Sequence, residues 1–131
     1  MRMKLKYTIL YVDDVTATLK FYEAAFGIAT RKIHGEADYG ELETGDMALS
    51  FCARKLMQAI GKPTGLPQRE APVFEIAFET DDVAKAYQHA LAHGALPVSA
   101  PEAMPWGQTV SYVTDLNGYM VEICSPVVPA A

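Results

Sequence analysis

The sequence predicts an α+β fold made of two tandem βαβββ modules. One observation is a repeated phrase. Tyr11-Val12-Asp13-Asp14-Val15 leads into a helix-like stretch that closes at Phe26-Gly27, and Phe78-Glu79-Thr80-Asp81-Asp82-Val83 leads into another that closes at His93-Gly94. Asp14 and Asp82 stand 68 residues apart in a chain of 131, so the repeat is about half the chain. A second observation is that each helix pattern is followed by three short strand-like runs separated by turn residues. Self-similarity on this scale points to two copies of one small module, with a cleft between them as the place for function.

Each element has a local reason. Lys4–Val12 is rich in aromatic and β-branched residues and reads as a strand. Asp13 or Asp14 can cap the following helix through its side-chain oxygen. Val15, Leu19, Tyr22 and Phe26 recur at three- and four-residue spacing and give that helix one apolar face, and Gly27 suits its end. Strands are expected at Ala29–His34, Tyr39–Glu43 and Met47–Cys52, punctuated by Gly35 and Thr44-Gly45-Asp46. Residues 53–72 break the pattern. Lys55–Ile60 suits a helical turn, and Gly61 to Pro67 reads as an irregular linker. The modules are therefore placed at residues 4–52 and 73–124, within a single domain over 1–131.

The second module opens with a strand at Val73–Glu79. Val83, Tyr87, Ala90 and Leu91 outline its helix, and Gly94 ends it. Leu96–Ser99 is expected as a short strand, Pro101–Pro105 as a loop, and Gln108–Thr114 and Tyr119–Cys124 as the last two strands. Asp115-Leu116-Asn117-Gly118 joins them, with Asn-Gly suited to a hairpin because both residues tolerate positive φ. Val127 to Ala131 is expected to fray.

Composition narrows the function classes. Half the residues are hydrophobic and 21% are charged, which suits a globular chain with a sizeable core. The net charge of −5, without a run of Lys or Arg, argues against nucleic acid or an anionic membrane surface as partner. No stretch approaches the roughly 18–20 apolar residues that span a bilayer. The apolar run Tyr7 to Val12 is too short for a signal peptide. Two cysteines make no disulfide framework, so a reduced cytoplasmic protein is expected.

The ordered phrases Val12-Asp13-Asp14-Val15, Phe21-Tyr22, Phe26-Gly27, Ile76-Ala77-Phe78, Pro105-Trp106-Gly107-Gln108, Asp115-Leu116-Asn117-Gly118 and Val121-Glu122-Ile123 resemble the vicinal oxygen chelate superfamily. That group includes glyoxalase I, extradiol dioxygenases and fosfomycin- and bleomycin-resistance proteins. The resemblance spans roughly Met3 to Pro126 and implies modules that curve into an open, barrel-like cup. It also implies a homodimer. The reactions of the group are diverse, so the fold alone leaves the chemistry open.

The resemblance implies metal-ligand positions on the first and last strand of each module. They fall here on Tyr7 and Glu75, and on Ser50 and Glu122. Metal-using members show His or Glu at three or four of these places. Tyr7 and Ser50 offer neutral oxygens, which are weak donors to a divalent ion, so no metal site and no cofactor is expected. Two carboxylates plus waters could hold Mg²⁺ or Mn²⁺ loosely.

Glu75 and Glu122 are each a lone charge in an apolar strand pattern, and alternation puts Glu122 on one face with Met120 and Cys124. If that face lines the cup, partial desolvation raises the carboxyl pKa and suits acid or base work. A solvated strand face, or a buried Arg partner, is the competing reading. Trp106, flanked by Pro and Gly, can cover a ligand or plug the cup. Tyr7, Ile9 and Tyr11 share a face as an apolar-aromatic wall, with Tyr7, Tyr11, Ser50 and Trp106 as candidate ligand contacts. His89 and His93 have metal-ligand spacing without the glutamate of a His-Glu-x-x-His motif, and a surface location is expected. His34 could reach the cup mouth. Cys52 and Cys124 read as buried, inert thiols.

Three functions stay open. The first is a small-molecule binder for a partly aromatic organic compound, without a transition metal. The second is a lyase, isomerase or dioxygenase using Glu75 and Glu122 as metal ligands or as an acid/base pair. The third is an interaction module with no small ligand.

Overall fold

The computed structural model describes residues 1–129. The chain falls into two compact units, one up to Leu66 and one from Pro67 onward. Ala130 and Ala131, part of the expected frayed tail, lie outside the described residues.

The first unit contains β1 (Tyr7–Val12), α1 (Val15–Phe26), β2 (Thr30–His34), β3 (Tyr39–Leu42), β4 (Ala48–Ala53) and the short α2 (Arg54–Ala59). Its sheet runs β1-β4-β3-β2, with β1 parallel to β4 and the other pairs antiparallel. Asp14 caps α1, its Oδ1 accepting from the Ala17 N–H at 2.9 Å. Gly27 ends α1 in the left-handed region at φ 71° and donates to Glu23 O, as a glycine C-cap should. The apolar face of α1 packs on β3 and β4, with Val15, Leu19 and Tyr22 buried against Leu42 and Phe51. Burying each such side chain contributes on the order of 1.5–3 kcal/mol. Gly40 lets α1 come this close, because a Cβ there would lie 2.6 Å from Leu19 Cδ1.

The second unit repeats the plan with β5 (Ile76–Glu79), α3 (Val83–Ala92), β6 (Leu96–Met104), β7 (Gln108–Thr114) and β8 (Met120–Cys124). The sheet order is β5-β8-β7-β6, with β5 parallel to β8. Asp82 caps α3 as Asp14 caps α1, accepting from the Lys85 N–H at 3.1 Å. Val83, Tyr87 and Ala90 are buried on α3, which packs on β6, β7 and β8, and Val113, Val121 and Ile123 are buried in the sheet. No helix among the described residues is long and apolar enough to cross a membrane.

Four local expectations are corrected. The strand expected at Val73–Glu79 begins only at Ile76, which pairs with Val121; in this register residues 73 and 74 fall before the start of β8 at Met120. The expected short strand Leu96–Ser99 and loop Pro101–Pro105 form one strand to Met104. β6 lies at the sheet edge with register shifts between Pro97 and Glu102, where proline's missing N–H is tolerated.

The hairpin after β7 has positive φ at Gly118 (98°) but not at Asn117. The Asp115 carboxylate shapes this turn by accepting from the Asn117 and Tyr119 N–H groups. The expected fraying does not hold at Val128, whose N–H donates to Gly107 O at 2.7 Å.

Candidate functional site

In each unit one sheet face packs on the helix, and alternation assigns the remaining side chains to the other face. In the second unit that other face carries Ala77 of β5, Glu122 of β8 and Tyr112 of β7 in one row, paired in register. Glu75 lies two residues before Ala77 and so on the same face. The Tyr112 hydroxyl donates to Glu122 Oε1 at 2.7 Å. That bond, followed by burial, pushes the Tyr112 phenol up to about 12.

Glu75 keeps an exposed surface, yet partial burial raises its carboxyl pKa. Glu122 pushes the same way, by charge repulsion and by a hydrogen bond to the protonated form of Glu75. Neither carboxylate is in an ion pair among the described residues. The structure therefore brings Glu75 and Glu122 together and adds a phenol, Tyr112, that sequence reasoning did not single out. Its signal was available in the alternation of β7, but only the register of β7 with β8 places it opposite Glu122.

The equivalent face of the first unit carries Ile9, Ser50, Glu41 and Lys32 in one row, and Tyr11, Cys52, Tyr39 and His34 in the next. Ser50 pairs with Ile9 as Glu122 pairs with Ala77, so the two last-strand positions correspond. Ser50 is fully buried, and its Oγ lies 3.0 Å from the Tyr39 hydroxyl. That hydroxyl also lies 3.1 Å from Glu41 Oε2. Burial raises the Tyr39 pKa; the bond to Ser50 acts against this and the bond to Glu41 with it. Glu41 was also missed, because Tyr39-Gly40-Glu41-Leu42 reads as an ordinary polar strand until its neighbours are known. Tyr7 and Ile9 are exposed at 47% and 43%, and Tyr11 is half-buried.

Trp106 and the two histidines at the end of α3 lie apart from these rows, whereas His34 and Cys52 belong to them. Trp106 is exposed in the β6–β7 turn, and its indole N–H donates to Gln108 Oε1 at 2.7 Å. His89 and His93 are exposed on α3 with rings 4.2 Å apart. His34 places its ring 5.5 Å from that of Tyr39. Burial pushes up both thiols, Cys124 to about 11, so neither is an activated nucleophile.

The donor set fits a divalent metal poorly. Tyr7 and Ser50 bring neutral oxygens, Ser50 is committed to Tyr39, and Glu122 is committed to Tyr112. Among the described residues no group of three or more His, Cys, Asp or Glu side chains is placed to hold a metal ion.

The chain is thus a small paired-module protein of two tandem βαβββ units, each with a phenol–carboxylate hydrogen bond on the sheet face away from its helix. A family model described as the Glyoxalase/Bleomycin resistance protein/Dioxygenase superfamily matches residues 4–123, and the chain belongs to that superfamily. Among solved structures the chain is similar to a family enzyme from Burkholderia phytofirmans PsJN, at 21% identity and a TM-score of 0.79, covering 96% of this chain and all of that one. It is similar to a glyoxalase-related enzyme from Fulvimarina pelagi, at 20% identity and a TM-score of 0.79, covering 99% and 100%. It is also similar to TioX from Micromonospora sp. ML1, at 19% identity and a TM-score of 0.70, covering 94% and 98%. At these identities the likeness speaks for the fold. A comparison with curated proteins gave no match.

Proposed function

We propose that this chain binds a small, partly aromatic organic molecule against its sheet faces and does so without a transition metal. The observation that carries this is the Glu75–Glu122–Tyr112 cluster. Two like charges side by side, with one phenol donating to one of them, leave acceptor capacity that a ligand can fill. The equivalent face of the first unit, taken by itself, carries Tyr7, Ile9 and Tyr11 as apolar-aromatic surface. Sequestration of the ligand is sufficient function for such a site. A homodimer accompanies this reading, since strand edges and exposed apolar side chains call for cover.

The rival reading is an enzyme in which Glu75 and Glu122 divide acid and base roles. The raised pKa of Glu75 supports a protonated group beside a proton acceptor, which such chemistry needs.

A ligand-observed NMR screen of small aromatic compounds against the wild type and Glu122→Gln tests the binding reading. Hits that bind the wild type and weaken in the variant support it. A screen without hits, or hits indifferent to Glu122, overturns it.

A further inference from the structure

We propose that Glu41, held by Tyr39 and Ser50, is a second anchor that takes the hydrogen-bond donor group of an aromatic ligand, a phenol O–H or an amine N–H. This deepens the small-molecule reading above and rests on it. A carboxylate accepts and cannot donate. The Tyr39 hydroxyl, 3.1 Å from Glu41 Oε2, must therefore donate to it. Its single proton is then spent, so toward Ser50 at 3.0 Å it can only accept, and Ser50 donates. Both hydroxyl protons of the relay point inward, and what remains for a ligand is acceptor capacity.

Glu41 can take such a ligand. It is 7% exposed, and Tyr39 is its one hydrogen-bond donor among the described residues. Lys32 stands opposite Glu41 in register on β2, yet it is exposed and forms no ion pair with it. The Tyr39 bond occupies only part of the carboxylate's acceptor capacity, and no Glu41 oxygen is both fully buried and unpartnered, so its remaining lone pairs can be reached from outside. A donor from the ligand supplies a further bond, and the aromatic wall of Tyr7, Ile9 and Tyr11 on the same face receives its ring. A carbonyl or ether in that place would set lone pair against lone pair. Ser50, fully buried, acts as a positioning residue: it fixes the direction of the Tyr39 proton.

The test uses three probes: para-ethylphenol, its methyl ether para-ethylanisole, and para-ethylbenzylamine. Each is titrated into the whole protein while backbone amide shifts are followed. The expected result is that the phenol or the amine, or both, shift the amides of Tyr39, Glu41 and Ser50 and bind about tenfold or more tighter than the ether. Which of the two binds distinguishes a neutral from a cationic donor. Glu41→Gln turns one acceptor into a donor, and it should bring the ratio to the ether close to one. If the ether binds as well as the phenol and the amine in the wild type, the donor proposal falls while the small-molecule reading stands. Shifts confined to Glu75, Tyr112 and Glu122 overturn the donor proposal in the same way. If no probe shifts either face at millimolar concentration, both readings fall. The wild-type comparison does not depend on the variant folding.

Discussion

The Tyr112 hydroxyl donates a 2.7 Å hydrogen bond to Glu122, and these two residues sit directly opposite each other on β7 and β8. The first unit holds the same kind of bond with both partners on one strand: Glu41 and Tyr39 stand two residues apart on β3. Each module thus pairs one carboxylate with a tyrosine on the sheet face away from its helix.

Tyr112 should ionise late. Its phenol is pushed up to about 12 by the bond to Glu122 and then by burial. A spectrophotometric titration of the seven tyrosines should show a group titrating at about 12 that Tyr112→Phe removes. The folded pKa lies above the unfolded value near 10, so the bond's contribution is present below about pH 10 and is lost as pH rises toward 12. Tyr112→Phe should cost about 1–2 kcal/mol at neutral pH, since Glu122 loses its donor.

Glu75→Gln should weaken ligand binding by about 1–3 kcal/mol, the usual worth of a charge-assisted hydrogen bond. Its folding should be unharmed or improved. The raised pKa of Glu75 means that the wild type is favoured when this carboxyl is protonated and disfavoured once pH rises through the folded value. The variant's gain in melting temperature should therefore appear near neutral pH and fade in acid. A strongly destabilised variant with unchanged ligand binding would make Glu75 a structural residue.

Gly40→Ala should destabilise the first unit by about 1–3 kcal/mol. The new methyl would meet Leu19 Cδ1 at 2.6 Å and Val15 Cγ1 at 3.2 Å, both on the packed face of α1. Denaturant unfolding checks it. A variant as stable as the wild type would show that Leu19 has room to move.

Chelation should change little. With Tyr7 and Ser50 contributing neutral oxygens, melting curves with and without chelator should coincide, and elemental analysis should find no stoichiometric metal. A large fall in melting temperature with chelator would overturn the metal-free reading.

The fold was legible because its determinants are local and repeated. Asp14 and Asp82 cap equivalent helices, Gly27 closes the first of them, and the apolar spacing of Val15, Leu19 and Tyr22 needs no tertiary knowledge. What escaped depends on partners distant in sequence. The extent of β5 depends on its pairing with β8, and the length of β6 on β7 beside it. The roles of Tyr112, Tyr39 and Glu41 depend on register, which decides who faces whom and which no single strand reveals. Glu75 and Glu122 stood out as charges in apolar runs. Tyrosines in strands did not, because strands favour them in any case.

On the reading proposed above, the face bearing Tyr112 and Glu122 takes an organic ligand and no transition metal. A high-resolution crystal structure of the protein with a hit from the aromatic screen, with anomalous data collected, tests it most directly. The account predicts organic density within hydrogen-bond reach of Glu122 and Glu75, with Tyr112 still donating to Glu122 and no anomalous peak beside them. An anomalous peak coordinated by Glu75 and Glu122, with Tyr112 displaced, would contradict it.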